Sequence, residues 1–158
     1  MRIELLADHR DAIPTLAQWF YDEWSHFRPG WTRQDFEDSI AARCNADRVP
    51  LALVALEGQE LIGTVCLEVH DMDTRTDLSP WLAGLYVKGE WRHQGIGARL
   101  VHGIEAKAAE LGIHRLYLYT PQSERFYVKL GWSLVERTVY HGCKVAIMEK
   151  NLRMQDQA

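Results

Sequence analysis

Long apolar runs, a basic excess and paired cysteines are all missing from this chain, and each gap closes off a class of function. The longest apolar stretches, such as Leu51 to Leu56, fall far short of the ~20 residues of a helical membrane span. No membrane partner is expected. Eighteen Lys plus Arg against 22 Asp plus Glu leave a net charge of -4, spread along the chain rather than gathered into blocks. A nucleic-acid partner gripped by a basic face is therefore disfavoured. The opening Met1-Arg2-Ile3-Glu4, with Asp8 close behind, brings acids at once and no sustained apolar run, unlike a secretory signal. With no address in the sequence, a cytoplasmic location is the expectation. The three cysteines, Cys44, Cys66 and Cys143, are widely spaced and form no C-x-x-C pair. They give no zinc-ribbon or dithiol signature and read as buried or incidental thiols.

What is present is the balance of an ordinary globular domain: 158 residues, 47% hydrophobic and 25% charged. A chain of this length should bury roughly 70% of its unfolded surface, enough for one core without disulfide or metal staples. The expectation is a single domain over 1–153 followed by a frayed tail at 154–158.

Ile13, Leu16, Ala17, Phe20 and Trp24 recur at three- and four-residue steps, which predicts a helix from Asp11 to Phe27, with Asp11 as its cap and Pro14 in the first turn. Thr32 and Asp35 are spaced as a capping box for a second helix through Phe36 and Ile40. Two β-rich runs, Leu51 to Leu56 and Leu61 to Val69, flank Glu57-Gly58-Gln59-Glu60 as a hairpin. Beyond a polar stretch, Trp81 to Val87 reads as a strand, Gly95 to Leu111 as a long helix and His114 to Tyr119 as a strand. Ser123 to Leu130 reads as a short helix, and Ser133 to Tyr140 and Cys143 to Asn151 as two final strands. Strands alternating with helices, between antiparallel hairpins, predict a mixed α/β sheet.

The chemically informative segment is Leu85-Tyr86-Val87-Lys88-Gly89-Glu90-Trp91-Arg92-His93-Gln94-Gly95-Ile96-Gly97-Ala98-Arg99-Leu100, a strand, a tight loop and a helix start. Backbone N–H groups from Gln94 to Ala98 can converge on a phosphate, which the helix N-terminus also favours. Arg92 and Arg99 can add charge-assisted contacts. An isolated G-x-G is better explained by a glycine-eased strand-to-helix turn with solvated arginines. G-x-x-x-x-G-K-[ST] is absent, and Leu100 stands where a dinucleotide fingerprint needs its third small residue.

The run Arg92-His93-Gln94-Gly95-Ile96-Gly97 resembles the R/Q-x-x-G-x-G/A signature of the GNAT-superfamily N-acetyltransferases. Phe126-Tyr127-Val128-Lys129-Leu130-Gly131-Trp132 resembles that family's later F-Y-x-x-x-G-F/W segment, in the same order and spacing. The resemblance implies an α/β (α+β) fold: a mixed, mostly antiparallel sheet of about six or seven strands with about four helices and two splayed parallel strands. It implies acetyl-CoA as donor, its pyrophosphate held by Arg92, His93, Gln94, Gly95, Ile96, Gly97, Ala98 and Arg99. The pantetheine arm would pair with Leu85, Tyr86 and Val87 like an added strand. Tyr127 matches the family tyrosine read as general acid; at its ordinary pKa near 10 it would protonate a thiolate of about 8.5.

The implied reaction is direct attack by a primary amine, a small molecule or a peptide N-terminus or lysine, through a tetrahedral intermediate. The family's strand carboxylate is missing from Trp81-Leu82-Ala83-Gly84, so the base falls to Glu68, His70, Asp77 or a water relay. Thr120, Pro121 and Ser123 stand where the family often has Asn and Ala. The acceptor would sit among Tyr21, Glu23, Trp24, Phe27, Trp31 and Tyr140, an aromatic and acidic wall suited to a cationic amine. A non-catalytic acyl-CoA-binding or regulatory module is the alternative. His102 and Glu105 share a helix face, but two ligands make no zinc site and no metal is expected. A homodimer and a monomer both remain open.

Overall fold

The computed structural model describes residues 1–152; the tail expected at 154–158 lies outside the described residues. Seven strands form one sheet: β1 (Arg2–Leu5), β2 (Leu51–Glu57), β3 (Glu60–Glu68), β4 (Trp81–Val87), β5 (Arg115–Thr120), β6 (Ser133–Tyr140) and β7 (Cys143–Asn151). The four helices are α1 (Ile13–Trp24), α2 (Arg33–Ala41), α3 (Ile96–Glu110) and α4 (Glu124–Lys129). The strand order is β1-β2-β3-β4-β5-β7-β6, antiparallel except for the single parallel pair β4–β5. This is the mixed, mostly antiparallel sheet that the motif resemblance implied.

The two faces of the sheet are covered by different helices. Leu51, Leu53 and Ala55 of β2 pack with Leu100, Val101 and Ile104 of α3, whereas Ala52, Val54 and Leu56 pack with Leu16, Phe20 and Ile40 of α1 and α2. A strand covered on both sides reads as a continuous apolar run, which is why Leu51 to Leu56 shows no alternation. On α3, Ile96, Leu100, Val101, Ile104 and Ala108 recur at steps of three and four and are buried.

Some local expectations need correction. Asp11 does not cap α1: a 3-10 turn, Arg10–Ala12, leads straight into the helix, and Ala12 occupies the cap position with no side-chain bond. Strand β1, paired with β2 over four positions, has too short a pattern to be read from sequence. The Thr32 box does form, with Thr32 N donating to Asp35 Oδ2 at 2.8 Å and Asp35 N to Thr32 Oγ1 at 3.1 Å.

His102 Nδ1 lies 3.8 Å from Glu105 Oε1, but only the histidine is exposed and Glu105 turns inward. It is 2% exposed and accepts from Lys150 Nζ at 2.9 Å and Trp132 Nε1 at 3.1 Å. Lys150 also donates to the Leu130 carbonyl at 2.6 Å, tying β7 to the turn after α4. Removing one member of a buried ion pair leaves the other charge stranded, so Lys150→Met should cost about 3 kcal/mol. Urea denaturation would read this as a lower midpoint at unchanged slope.

Candidate active site

Strands β4 and β5 lie side by side but barely pair. Their ladder consists of Trp81 opposite Tyr117, with Tyr117 N donating to the Pro80 carbonyl at 3.1 Å. Beyond that point no pair joins them among the described residues. Two features drive the divergence. On one side β5 is held to β7 through six consecutive pairs. On the other, β4 is bulged: Thr64 faces Tyr86 while Cys66 faces Ala83, so Gly84 and Leu85 share one partner position. Gly84 has φ +61°, and a Cβ there would stand 2.9 Å from the Phe20 ring. Only glycine meets both the backbone and the space requirement. The strand bends away, leaving backbone groups of its second half directed into a gap.

The gap opens onto a cleft of about 890 Å³. At one end is the start of α3. Gly95 adopts φ +82° and His93 φ +62°, turning the chain so that the helix begins beneath the loop. The first intrahelical bond comes from Arg99 N to Gly95 O at 3.2 Å, so the N–H groups of Ile96, Gly97 and Ala98 have no partner within the helix. Unlike α2, which carries its own carboxylate cap, α3 has no side-chain cap and no acid in its first turn. Its partial positive charge is left for an outside anion. Arg92, His93, Gly95, Ile96, Gly97 and Ala98 line the cleft together with Leu85, Tyr86 and Val87. Arg92 is set by Nε donating to the Val87 carbonyl at 2.8 Å, its guanidinium 5.3 Å from the Tyr86 ring centre. Gln94 and Arg99 stand outside the lining, and the Gln94 side chain donates to the Glu90 carbonyl at 3.3 Å.

Tyr127 is placed by α4. Thr120 Oγ1 accepts from Ser123 N at 3.0 Å ahead of the helix, and Trp132 N donates to the Tyr127 carbonyl at 3.0 Å after it. Its ring lies edge-on to Phe126 and Trp132, and it lines the cleft beside Thr120, Pro121 and Ser123. Burial alone pushes its phenol pKa well above the ordinary value. The ordinary value near 10 does not hold in the fold, where the hydroxyl stays neutral and is a weaker acid.

The other end of the cleft is an aromatic chamber between α1, α2 and the β3–β4 loop. Glu23, Trp24, Phe27, Trp31 and Tyr140 line it. Tyr21 does not: it lies 38% exposed, edge-on to Phe36. On α1 the cleft takes Phe20, Glu23 and Trp24, the face at steps of three and four, and Tyr21 projects about 100° away.

Four charged groups of this chamber form a cluster. Three of them, Arg28, Arg43 and Asp71, come from positions where no motif pointed. Arg28 donates from Nη2 to Asp71 Oδ1 at 3.0 Å and to its carbonyl at 3.1 Å, and from Nη1 to the Phe27 carbonyl at 3.1 Å. Arg43 is ion-paired with Glu68. Burial raises the carboxyls of Glu68 and Asp71, opposed chiefly by Arg43 for the first and by Arg28 for the second. His70 lines the cleft as well. Asp77 does not; it is exposed and held by Arg75 at 3.0 Å, which removes it from the proton-accepting candidates.

Among the described residues no group of three or more His, Cys, Asp or Glu could hold a metal ion, and no helix is long and apolar enough to cross a membrane.

The profile of the acetyltransferase (GNAT) family matches residues 13–132. No curated protein matches the sequence. Among solved structures, the aminoglycoside 6'-N-acetyltransferase from Enterococcus faecium is similar at 19% identity and TM-score 0.72, over 96% of this chain and 97% of that one. An aminoglycoside 6'-N-acetyltransferase complexed with coenzyme A is similar at 18% identity and TM-score 0.74, with the same coverage. The yncA protein of Salmonella typhimurium with its cofactor acetyl-CoA follows at 15% identity and TM-score 0.72, over 96% of this chain and 94% of that one.

Proposed function

The chain belongs to the GNAT acetyltransferase family, whose donor is acetyl-CoA, and from that premise we propose that it is an amine N-acetyltransferase. The observation that carries this reading is the parting of β4 from β5 directly beside an uncapped helix start, with a tyrosine buried at the junction. Bound acetyl-CoA supplies an activated acetyl thioester. The chain's own groups divide the remaining work. The N–H groups of Ile96, Gly97 and Ala98, with Arg92 and His93 beside them, receive the pyrophosphate. Leu85 and Val87 offer strand-type backbone bonds to the pantetheine amides. A backbone N–H of the diverging end of β4 donates to the carbonyl oxygen as it gains charge, worth on the order of 3 kcal/mol for one well-aimed donor.

Tyr127, kept neutral by burial, donates a hydrogen bond to the departing sulfur. Its raised pKa makes full proton transfer to a thiolate uphill. Its contribution therefore lies in a bond that strengthens as sulfur becomes anionic, with the amine's proton supplying the balance through water. That proton first leaves nitrogen to Glu68, His70 or a bound water. The chamber of Trp24, Phe27, Trp31 and Tyr140, with Glu23 at its rim, receives the acceptor, a small amine or a peptide amine. The neighbours named for aminoglycosides are consistent with an amine acceptor.

Two measurements test this reading. Calorimetry with CoA should give saturable heat, and a panel of primary amines with acetyl-CoA should release thiol above the hydrolytic background. Binding without release on any amine would favour an acyl-CoA-binding module instead.

A further inference from the structure

The cleft runs through the sheet rather than along one face. Ile96, Leu118 and Tyr127 line it on one side and belong to the core beneath α3 and α4, whereas Phe20, Phe36 and Ile40 line it on the other and belong to the core beneath α1 and α2. The two halves meet where β4 and β5 part, at residues 84–87 and 118–120. The side chains of β4 sort the same way: Leu85 and Val87 pack towards α3, and Tyr86 packs towards α1. The uncapped helix start and the aromatic chamber are therefore on opposite faces. An acyl group carried from the first towards the second passes through the gap.

On the chamber side the gap is closed by a ring. The space beside Gly84 is filled by Phe20, whose Cζ and Cε2 stand 2.9 and 3.1 Å from where a Cβ would be, with Cys66 Sγ behind at 3.3 Å. Phe20 is 4% exposed. It lies edge-on to Trp24 at 4.9 Å between ring centres, and the Arg43 guanidinium sits 5.6 Å from its centre. Trp24 in turn meets Tyr86 edge-on at 6.1 Å, and Tyr86 stacks on Trp19 at 4.8 Å. A ring braced in such a row does not swing aside cheaply, because close-packed neighbours must move with it.

We propose that Phe20 sets the acyl length of the donor, its ring edge standing across the chamber side of the gap where the third and fourth acyl carbons would lie. This rests on the transfer reading above, in which the thioester carbonyl is held by the diverging end of β4 beside Gly84. An acetyl group ends before the ring. Each further methylene meets it, and one methylene in a closed apolar pocket discriminates by roughly 10–200-fold.

The test compares acetyl-, propionyl- and butyryl-CoA with one fixed primary amine. In the native protein kcat/KM should favour acetyl over propionyl by about tenfold or more, with butyryl lower again. In Phe20→Leu and Phe20→Ala the acetyl-to-butyryl ratio should fall to near one. Any loss of folding or of amine binding is common to the three donors and cancels in that ratio. Phe20→Leu keeps an apolar core residue while removing the ring edge, so it carries the test if the alanine variant does not fold. Equal use of the three donors by the native protein, or an unmoved ratio in the folded leucine variant, overturns the proposal. Calorimetry reads the same limit without turnover. Butyryl-CoA should bind the native protein about tenfold more weakly than acetyl-CoA, and the leucine variant equally well, whether or not any amine reacts. Equal binding of both by the native protein sinks the acyl limit alone; no binding of CoA itself sinks the transfer reading, and the limit with it.

Discussion

Tyr127→Phe is expected to lower kcat by about 100-fold or more, the range lost with one proton-transfer or hydrogen-bonding group at a reacting centre. The CoA dissociation constant should change little, because the ring and its contacts with Phe126 and Trp132 are retained. A fall in kcat and kcat/KM together marks an interaction made only in the transition state. The pH profile adds a second readout. Burial holds the phenol well above its ordinary range, so no alkaline loss of kcat due to Tyr127 should appear up to about pH 10. A tyrosine at its unperturbed value would begin to fail there. Unchanged kcat in the Phe variant would remove Tyr127 from the chemistry, whereas an alkaline limb near pH 9 that vanishes with the hydroxyl would show that burial does not hold the phenol up.

The end of the cleft proposed for the cofactor was legible in sequence because its determinants are contiguous. The strand, the glycine turn and the helix fall within Trp81–Glu110, where periodicity and turn chemistry act locally. The acceptor end was legible only in its aromatics. Arg28 and Asp71 are 43 positions apart and Arg43 and Cys66 are 23 apart. Nothing in either neighbourhood encodes the encounter; the β2–β3 hairpin and the packing of α1 on α2 create it. The Tyr127 shift is of the same kind, since burial is a property of the closed fold and not of the residue. Tyr21 failed for a geometric reason: an aromatic count along α1 ignores which side of the helix the cleft takes. The bulge at Gly84 left a local trace, a glycine inside an apolar strand pattern, and that trace was the available signal for where β4 leaves β5.

The second large effect concerns the start of α3. Gly97, the second residue of that helix, is half-buried beside the cleft, and an added Cβ there would lie 3.4 Å from Phe126, an ordinary contact. Gly97→Asp is therefore tolerated sterically. It should also favour the helix, since an acid in the first turn complements the dipole by about 0.3–1 kcal/mol and replaces a glycine. Thermal stability should hold or rise. CoA binding should do the opposite. A carboxylate about 5 Å from the pyrophosphate costs about 3 kcal/mol at an effective dielectric constant near 20, which raises the dissociation constant by about 100-fold. An oxygen acceptor placed among the first-turn N–H groups also competes for the donors that the phosphates need. The two changes run in opposite directions, so loss of folding cannot imitate loss of the site. Salt should narrow the difference between variant and native protein, because screening weakens the repulsion. If calorimetry finds CoA bound equally well by Gly97→Asp, the diphosphate lies elsewhere, and the helix start is only a turn.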